Sequence, residues 1–341
     1  MLKHLLQFVT LLVVVMAAPV ALAQRTPILV YTALETDQLK AFKDSIEGMV
    51  KDVEIRWVRD STGVITAKLL AEKANPQADM ILGLAATSLL VLEQEGMLTP
   101  YAPKGVEKLN PRFVDSKKPP MWVGMDVWGA TICFNTLEAK KRNLPKPESW
   151  KDLLKPIYRG QITMPHPASS GTGFLDVTAW LQLYGEAEGW KYMDALHENI
   201  AQYVHSGSKP CRQAGAGEFV MGISFEYRAN ATKASGAPIE LVFPKEGVGW
   251  DMEASAIMKS SKKQDHVRKV MDWVVTREAN EVYAKNYAIV AMPGVAKPLP
   301  NVPANYEQML VKNDFGWAAK NRDRILAEWN KRYNAKAEPK Q

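Results

Sequence analysis

Residues 165–176 read PHPASSGTGFLD, and within them Ser169, Ser170 and Thr172 interleave with Gly171 and Gly173. The stretch follows a short apolar run, QITM, and precedes a helical pattern. Backbone N–H groups left free at a helix N-terminus form an anion site, and the helix dipole adds to it. Hydroxyls supply further donors, and glycines let the backbone approach an oxyanion closely. A plain helix cap needs one hydroxyl, and here there are three. No Lys follows at the offset a Walker A loop requires.

Three other strand-to-helix junctions carry side chains of the same kind. Thr32 and Glu35 lie in TALETD, Thr87 and Ser88 in LAATS, and Ser206 and Ser208 in HSGSK. Acidic residues at such junctions are Glu35, Glu226, Asp251 and Glu253; any of them can receive a cationic group, or be structural. Tyr31, Trp128, Tyr227 and Trp250 are nearby aromatics, fit for core or pocket wall. His166 beside the serines leaves a hydrolase open as an alternative, although no G-x-S-x-G occurs.

The elements that must position these residues alternate between strand and helix. ILVYT, VEIRWVRD and ADMILG read as strands, with helical patterns between them and after them, which implies a largely parallel sheet covered on both faces. The long apolar segment 121–135 reads as a strand passing from one lobe to another, and QDHVRKVMDWVVTREANEVYAK as one amphipathic helix. In such sheets ligands bind beyond the carboxyl ends of strands.

The chain has 341 residues, enough for about two domains. Its net charge of +6 is scattered rather than striped, which excludes a nucleic-acid surface. The opening run ends in Ala21-Leu22-Ala23, so residues 1–23 read as a signal peptide cleaved before Gln24. In an oxidising compartment Cys133 and Cys211 can pair, but two buried thiols fit the sequence equally well. No His or further Cys stands at metal-ligand spacing from them.

The segments ILVYTALE, PQADMILGLAATSLLVLEQEGMLTPY, PESWKDLLKPIYRGQITMPHPASSGTGF, GEFVMGISF and EASAIMKSSKKQDHVRKVMDWVV follow one another in an order that resembles the solute-binding proteins of ABC importers, in the branch of the iron(III) binders. The resemblance implies an α/β, two-lobed periplasmic binding protein of type II. Each lobe would be a sheet flanked by helices, with the ligand cleft at two crossing strands. It implies lobe 1 over 24–126 and 251–300, lobe 2 over 127–250, and C-terminal helices over 301–341 packing on the lobes.

The iron binders carry adjacent tyrosines where this chain has Phe225-Glu226-Tyr227, which turns the expectation from iron(III) to an organic anion. HPASSGTGF, FEYRAN and KEGVGWDMEA are most similar to binders of 2-aminoethylphosphonate, while sugar-phosphate binders share the SSGTG segment. The implied anion contacts are Ser169, Ser170, Gly171, Thr172 and Gly173, joined by Thr87 and Ser88 from the facing lobe and by Ser206 and Ser208. Glu35, Glu226 and Asp251 are expected to receive the amine, with Thr32 close by and Trp128 and Tyr227 as walls. The expected protein is a periplasmic monomer that hands a phosphonate to the permease subunits and needs no catalytic residue, metal or cofactor. A phosphate ester, an inorganic oxyanion or iron(III) is the alternative cargo.

Overall fold

The computed structural model describes residues 25–339; the expected signal peptide lies outside them. Strands β1 (Thr26–Thr32), β2 (Val53–Arg59) and β3 (Met80–Ala85) alternate with helices α1 (Leu39–Met49), α2 (Thr62–Ala71) and α3 (Ala86–Gln94). After the two-residue β4 (Leu98–Thr99) comes the 13-residue β5 (Val123–Asn135), buried along its whole length. Its apolar run suits a strand covered on both faces. Then follow α4 (Thr136–Lys141), β6 (Ile162–Pro165), α5 (Gly171–Tyr184) and α6 (Glu186–Asn199). Next are β7 (Ile200–Val204), α7 (Lys209–Ala216), β8 (Met221–Phe225), α8 (Glu226–Ala234), β9 (Ile239–Val242) and β10 (Trp250–Met258).

The strands form one path, β2-β1-β3-β10-β5-β8-β6-β7, with β4 beside β10 and β9 beside β5. Within it β1, β2 and β3 run parallel, as do β6, β7 and β8. The two groups are joined by β5 and β10, which run antiparallel to each other. Residues 123–129 of β5 pair with β10, whereas 130–134 pair with β8. The chain thus makes two lobes that share two long strands, and the cleft lies where those strands cross.

The segment read as one amphipathic helix is two, α9 (Gln264–Val274) and α10 (Arg277–Tyr283). Thr276 divides them: it is extended, and its hydroxyl accepts from Ala279 N at 3.1 Å, starting a new helix. The tail forms α11 (Tyr306–Met309), α12 (Phe315–Lys320) and α13 (Arg322–Tyr333). Helix α12 packs on α3 of the first lobe, while Trp329 of α13 meets His166 and Tyr203 of the second at 4.4 and 4.7 Å between ring centres.

Cys133 on β5 and Cys211 on α7 form a disulfide, with Cα atoms 5.3 Å apart and a sequence separation of 78. This resolves the choice the sequence left open. The bridge sits in a small apolar cluster with Ala214, Ala229 and Ile239. Closing a loop of that length restricts the unfolded chain. The Cys133→Ala/Cys211→Ala double variant is therefore expected to lose about 2–5 kcal/mol of unfolding free energy in a urea titration. An unchanged midpoint would mean that the bridge adds nothing.

Candidate functional site

Helix α5 begins at Gly171, and Ser170 is its N-cap, with extended backbone and a hydroxyl accepting from Gly173 N at 3.4 Å. That hydroxyl still has its own proton to donate. The turn before it is held by His166, whose carbonyl accepts from Ser170 N at 2.9 Å and whose Nδ1 accepts from Ala168 N at 3.1 Å. Nε2 lies 3.3 Å from Asn334 Oδ1, so both ring nitrogens are engaged in fixing the loop. The hydrolase alternative needs this imidazole as a base for a serine, and its Nδ1 here accepts from a backbone N–H instead.

A second helix faces α5 from the other lobe. Ser61 is the N-cap of α2, and its side chain makes no capping bond. Gly63 N, in the first turn of α2, donates to Ser169 O across the cleft at 2.9 Å. A Cβ on Gly63 would stand 2.1 Å from Ala168 O, and one on Gly171 would stand 2.6 Å from Thr62 Oγ1. Glycine at both positions lets two helix N-termini meet. Each carries roughly half a positive charge from its aligned peptide dipoles.

The cleft at this junction encloses about 460 Å³, open mouth included. Of the residues expected at the site, Glu35, Trp128, Ser170, Gly171 and Thr172 line it. Arg59, Ser61, Thr62, Gly207, Phe225 and Glu253 line it as well. The sequence reading passed over Ser61-Thr62-Gly63, although it has the same signal as the SSGTG stretch: hydroxyls and a glycine just after a strand and opening a helix. Arg59 carried no such signal, because a basic residue at a strand end is common.

Other expected contacts are directed elsewhere. Thr87 Oγ1 donates to Asp251 Oδ2 at 2.6 Å, and Ser88 Oγ accepts from Thr66 Oγ1 at 2.9 Å. The α3 terminus, expected to close on the ligand anion, is thus occupied by the protein's own carboxylate. Thr32 Oγ1 accepts from Leu34 N, Ser206 Oγ from Ser208 N, and Ser169 Oγ lies 3.3 Å from His205 Nδ1. Gly173 packs against β6, its Cβ position 2.5 Å from Pro165 O. Tyr227 is half-buried against Tyr287, ring centres 5.6 Å apart.

Glu35 is expected to receive an amine, but protein cations already hold it. Its carboxylate accepts from Arg228 at 2.6 Å, Arg59 at 3.2 Å, Arg212 at 3.4 Å and Ser208 Oγ at 2.5 Å. Arg59 belongs to the first lobe and the other three to the second, so Glu35 is an interlobe ion-pair centre. Asp251 is likewise engaged, by Thr87 and by Met252 N. Glu226 is fully buried; Oε2 accepts from Gly129 N at 2.8 Å and Oε1 has no partner. Burial pushes Asp251 up to about 7 and Glu226 up to about 8, in both cases against the pull of those donors. Burial also lifts Asp126 well above the carboxylate range, and the charges of Glu253 and Glu226 add to the shift.

These features define a two-lobed protein with a cleft between the lobes, and the fold is that of the type II periplasmic binding proteins. Residues 75–315 match the family described as bacterial extracellular solute-binding protein, and the chain belongs to that family. It is 31% identical over 234 residues to an uncharacterised Haemophilus influenzae protein, spanning 68% of each chain. It is 25% identical over 266 residues to a probable ABC transporter periplasmic-binding protein of Sinorhizobium fredii, spanning 74% of this chain and 71% of that one. The structure of the periplasmic binding protein AfuA from Actinobacillus pleuropneumoniae, with fructose-6-phosphate bound, is similar at a TM-score of 0.85 and 27% identity, over 91% of this chain and 99% of that one.

Two predictions follow from this geometry. Gly63→Ala is expected to leave each lobe folded, since the atoms its Cβ would meet, Ala168 O and C and Ser169 C, belong to the facing lobe. The added Cβ blocks the contact with Ala168, so the lobes stay apart. Small-angle scattering is expected to show a larger radius of gyration than for the wild type; an equal radius would count against this contact.

The second prediction concerns pH. Glu226, Asp251 and Glu253 are raised in the folded chain. Between their unfolded values, near pH 4, and their folded values near 7–8, the native state holds protons the unfolded state has lost. Stability from these groups is full below pH 4 and is lost as pH rises through that window. The melting temperature is expected to fall from pH 5 to pH 8.5, less steeply for Glu226→Gln. A flat profile would contradict the shifts.

Proposed function

We propose that this protein is the periplasmic substrate-binding component of an ABC importer, and that it captures a small phosphonate for delivery to the permease, 2-aminoethylphosphonate being the first choice. The observation that carries the anion reading is the meeting of two helix N-termini, α2 and α5, from opposite lobes. A phosphonate presents three oxygens and between one and two negative charges. Ser170, Thr172, Ser61 and Thr62 offer hydroxyls to it, and the first-turn amides other than Gly63 N and Gly173 N, which already donate within the protein, offer their N–H groups. The kinship with a probable ABC transporter periplasmic-binding protein supports the importer role and the periplasmic location.

A second reading, a sugar phosphate, is supported by the similarity to AfuA with fructose-6-phosphate bound. Both cargoes would use the same cradle and differ in what the rest of the cleft meets.

Thermal shift and calorimetry separate these readings. Purified protein is titrated with 2-aminoethylphosphonate, fructose-6-phosphate, inorganic phosphate and iron(III). A cargo present at 100 times its Kd is expected to add about 2.7 kcal/mol of stability without being consumed. Binding of iron(III) alone, or turnover of a phosphate ester, would overturn the proposal. Thr172→Ala and Ser170→Ala are each expected to weaken the anionic cargo by about 10–150-fold, the equivalent of a charged hydrogen bond. Ser170→Ala is also expected to lower stability by about 1 kcal/mol, because that hydroxyl caps α5. Unchanged affinity in both variants would move the anion elsewhere.

A further inference from the structure

One carboxylate in the cleft has no protein partner for one of its oxygens. Glu253 lines the cleft and is 8% exposed. Its Oε1 accepts from Tyr287 Oη at 3.1 Å, and that hydroxyl is held in turn by Gln38 at 3.2 Å. Its Oε2 is buried without a partner. Pairing of β10 with both neighbours is irregular here, shifting at 253/254 against β5 and at 254/255 against β3. Bulges of this kind re-aim a side chain, and this one turns Glu253 to the cleft.

Directly across on β5 is Asp126, the cross-strand partner of Glu253, fully buried and with neither oxygen bonded. Two cross-strand side chains share a face of the sheet at close range. A buried carboxylate without a donor is strongly unfavourable, and two together more so. What both lack is a cation with several N–H donors. Among the described residues no group of three or more His, Cys, Asp or Glu is arranged for a metal ion.

We propose that Glu253, backed by Asp126, is a cation subsite that receives the protonated amine of a zwitterionic solute, in place of Glu35, Glu226 or Asp251. This rests on the anion reading of the same cleft, which supplies the other end of the solute. Trp128 and Phe225, ring centres 6.0 Å apart, also line the cleft and offer aromatic faces to an ammonium. Arg59 lines the cleft too, and it shares Glu35 with Arg212 and Arg228.

The groups facing Glu253 fix the proton balance. Burial raises it to about 8, with the Tyr287 hydroxyl opposing and the charge of Glu35 adding. Asp126 and Glu226 are raised beside it. At pH 7 the empty subsite therefore holds protons, and an arriving ammonium favours the ionised carboxylate. Binding of an aminophosphonate is expected to release a proton to buffer; an amine-free phosphonate is expected to release none at this carboxylate.

The test is calorimetry at pH 7 with 2-aminoethylphosphonate and ethylphosphonate, in two buffers of different ionisation enthalpy, on the wild type, Glu253→Gln and Asp126→Asn. The readout is the ratio of the two affinities, in which any general weakening cancels. The wild type is expected to prefer the aminophosphonate by about 10–150-fold, with a larger proton release for that ligand. Glu253→Gln is expected to bring the ratio near one, and Asp126→Asn to reduce it; melts establish that both fold. Equal wild-type affinities, or a ratio unmoved by Glu253→Gln, overturn the subsite while leaving the anion cradle standing. Binding of neither phosphonate by the wild type overturns the subsite and the phosphonate reading together, and fructose-6-phosphate failing as well overturns the cradle.

Discussion

Two helices from different lobes point their N-termini at one place, and a single backbone bond, Gly63 N to Ser169 O, joins them there. Aligned peptide dipoles make both ends positive, so contact between them is opposed until a negative charge lies between. An oxyanion removes the repulsion and uses the free N–H groups at once. In the proposed function, closure and capture are then one event. A ligand can shift an open–closed equilibrium only through different contacts in the two states, and an anion held by both lobes has that difference built in.

Protein charges also cross the cleft. Glu35 on the first lobe collects Arg228, Arg212 and Ser208 from the second, with Arg59 from its own side. Arg228 is buried, so its charge depends on Glu35 and on Asp37, 3.2 Å away. The cluster brings the lobes together in a set register, and its three arginines outnumber Glu35 and Asp37, so positive charge remains beside the helix ends.

Buried carboxylates line the crossing strands behind this point: Asp126 on β5, Asp251 and Glu253 on β10, and Glu226 at the start of α8. Their burial lifts all four above the usual carboxylate range. Asp251 accepts from Thr87 of α3, and Glu226 of α8 accepts from Gly129 of β5, so each ties a strand to a helix. Glu253 is the one of the four that lines the cleft, next to the bulges that break the regular pairing.

The alternation of strand and helix patterns was legible from the sequence, because burial on one or both faces dictates the spacing of apolar residues. So was the cradle at Ser170, Gly171 and Thr172, since hydroxyls and glycines at a helix start have a local chemical meaning. The matching half at Ser61 and Thr62 has the same local pattern, yet its relevance depends on which strand ends face each other, a fact of topology. Which acid stays unpartnered was beyond sequence altogether. Glu35, Asp251 and Glu253 look alike as letters, and only the packed structure brings Arg228 to the first, Thr87 to the second and open cleft to the third. A carboxylate's role depends on its partners, and partners more than a hundred residues away are chosen by tertiary contact.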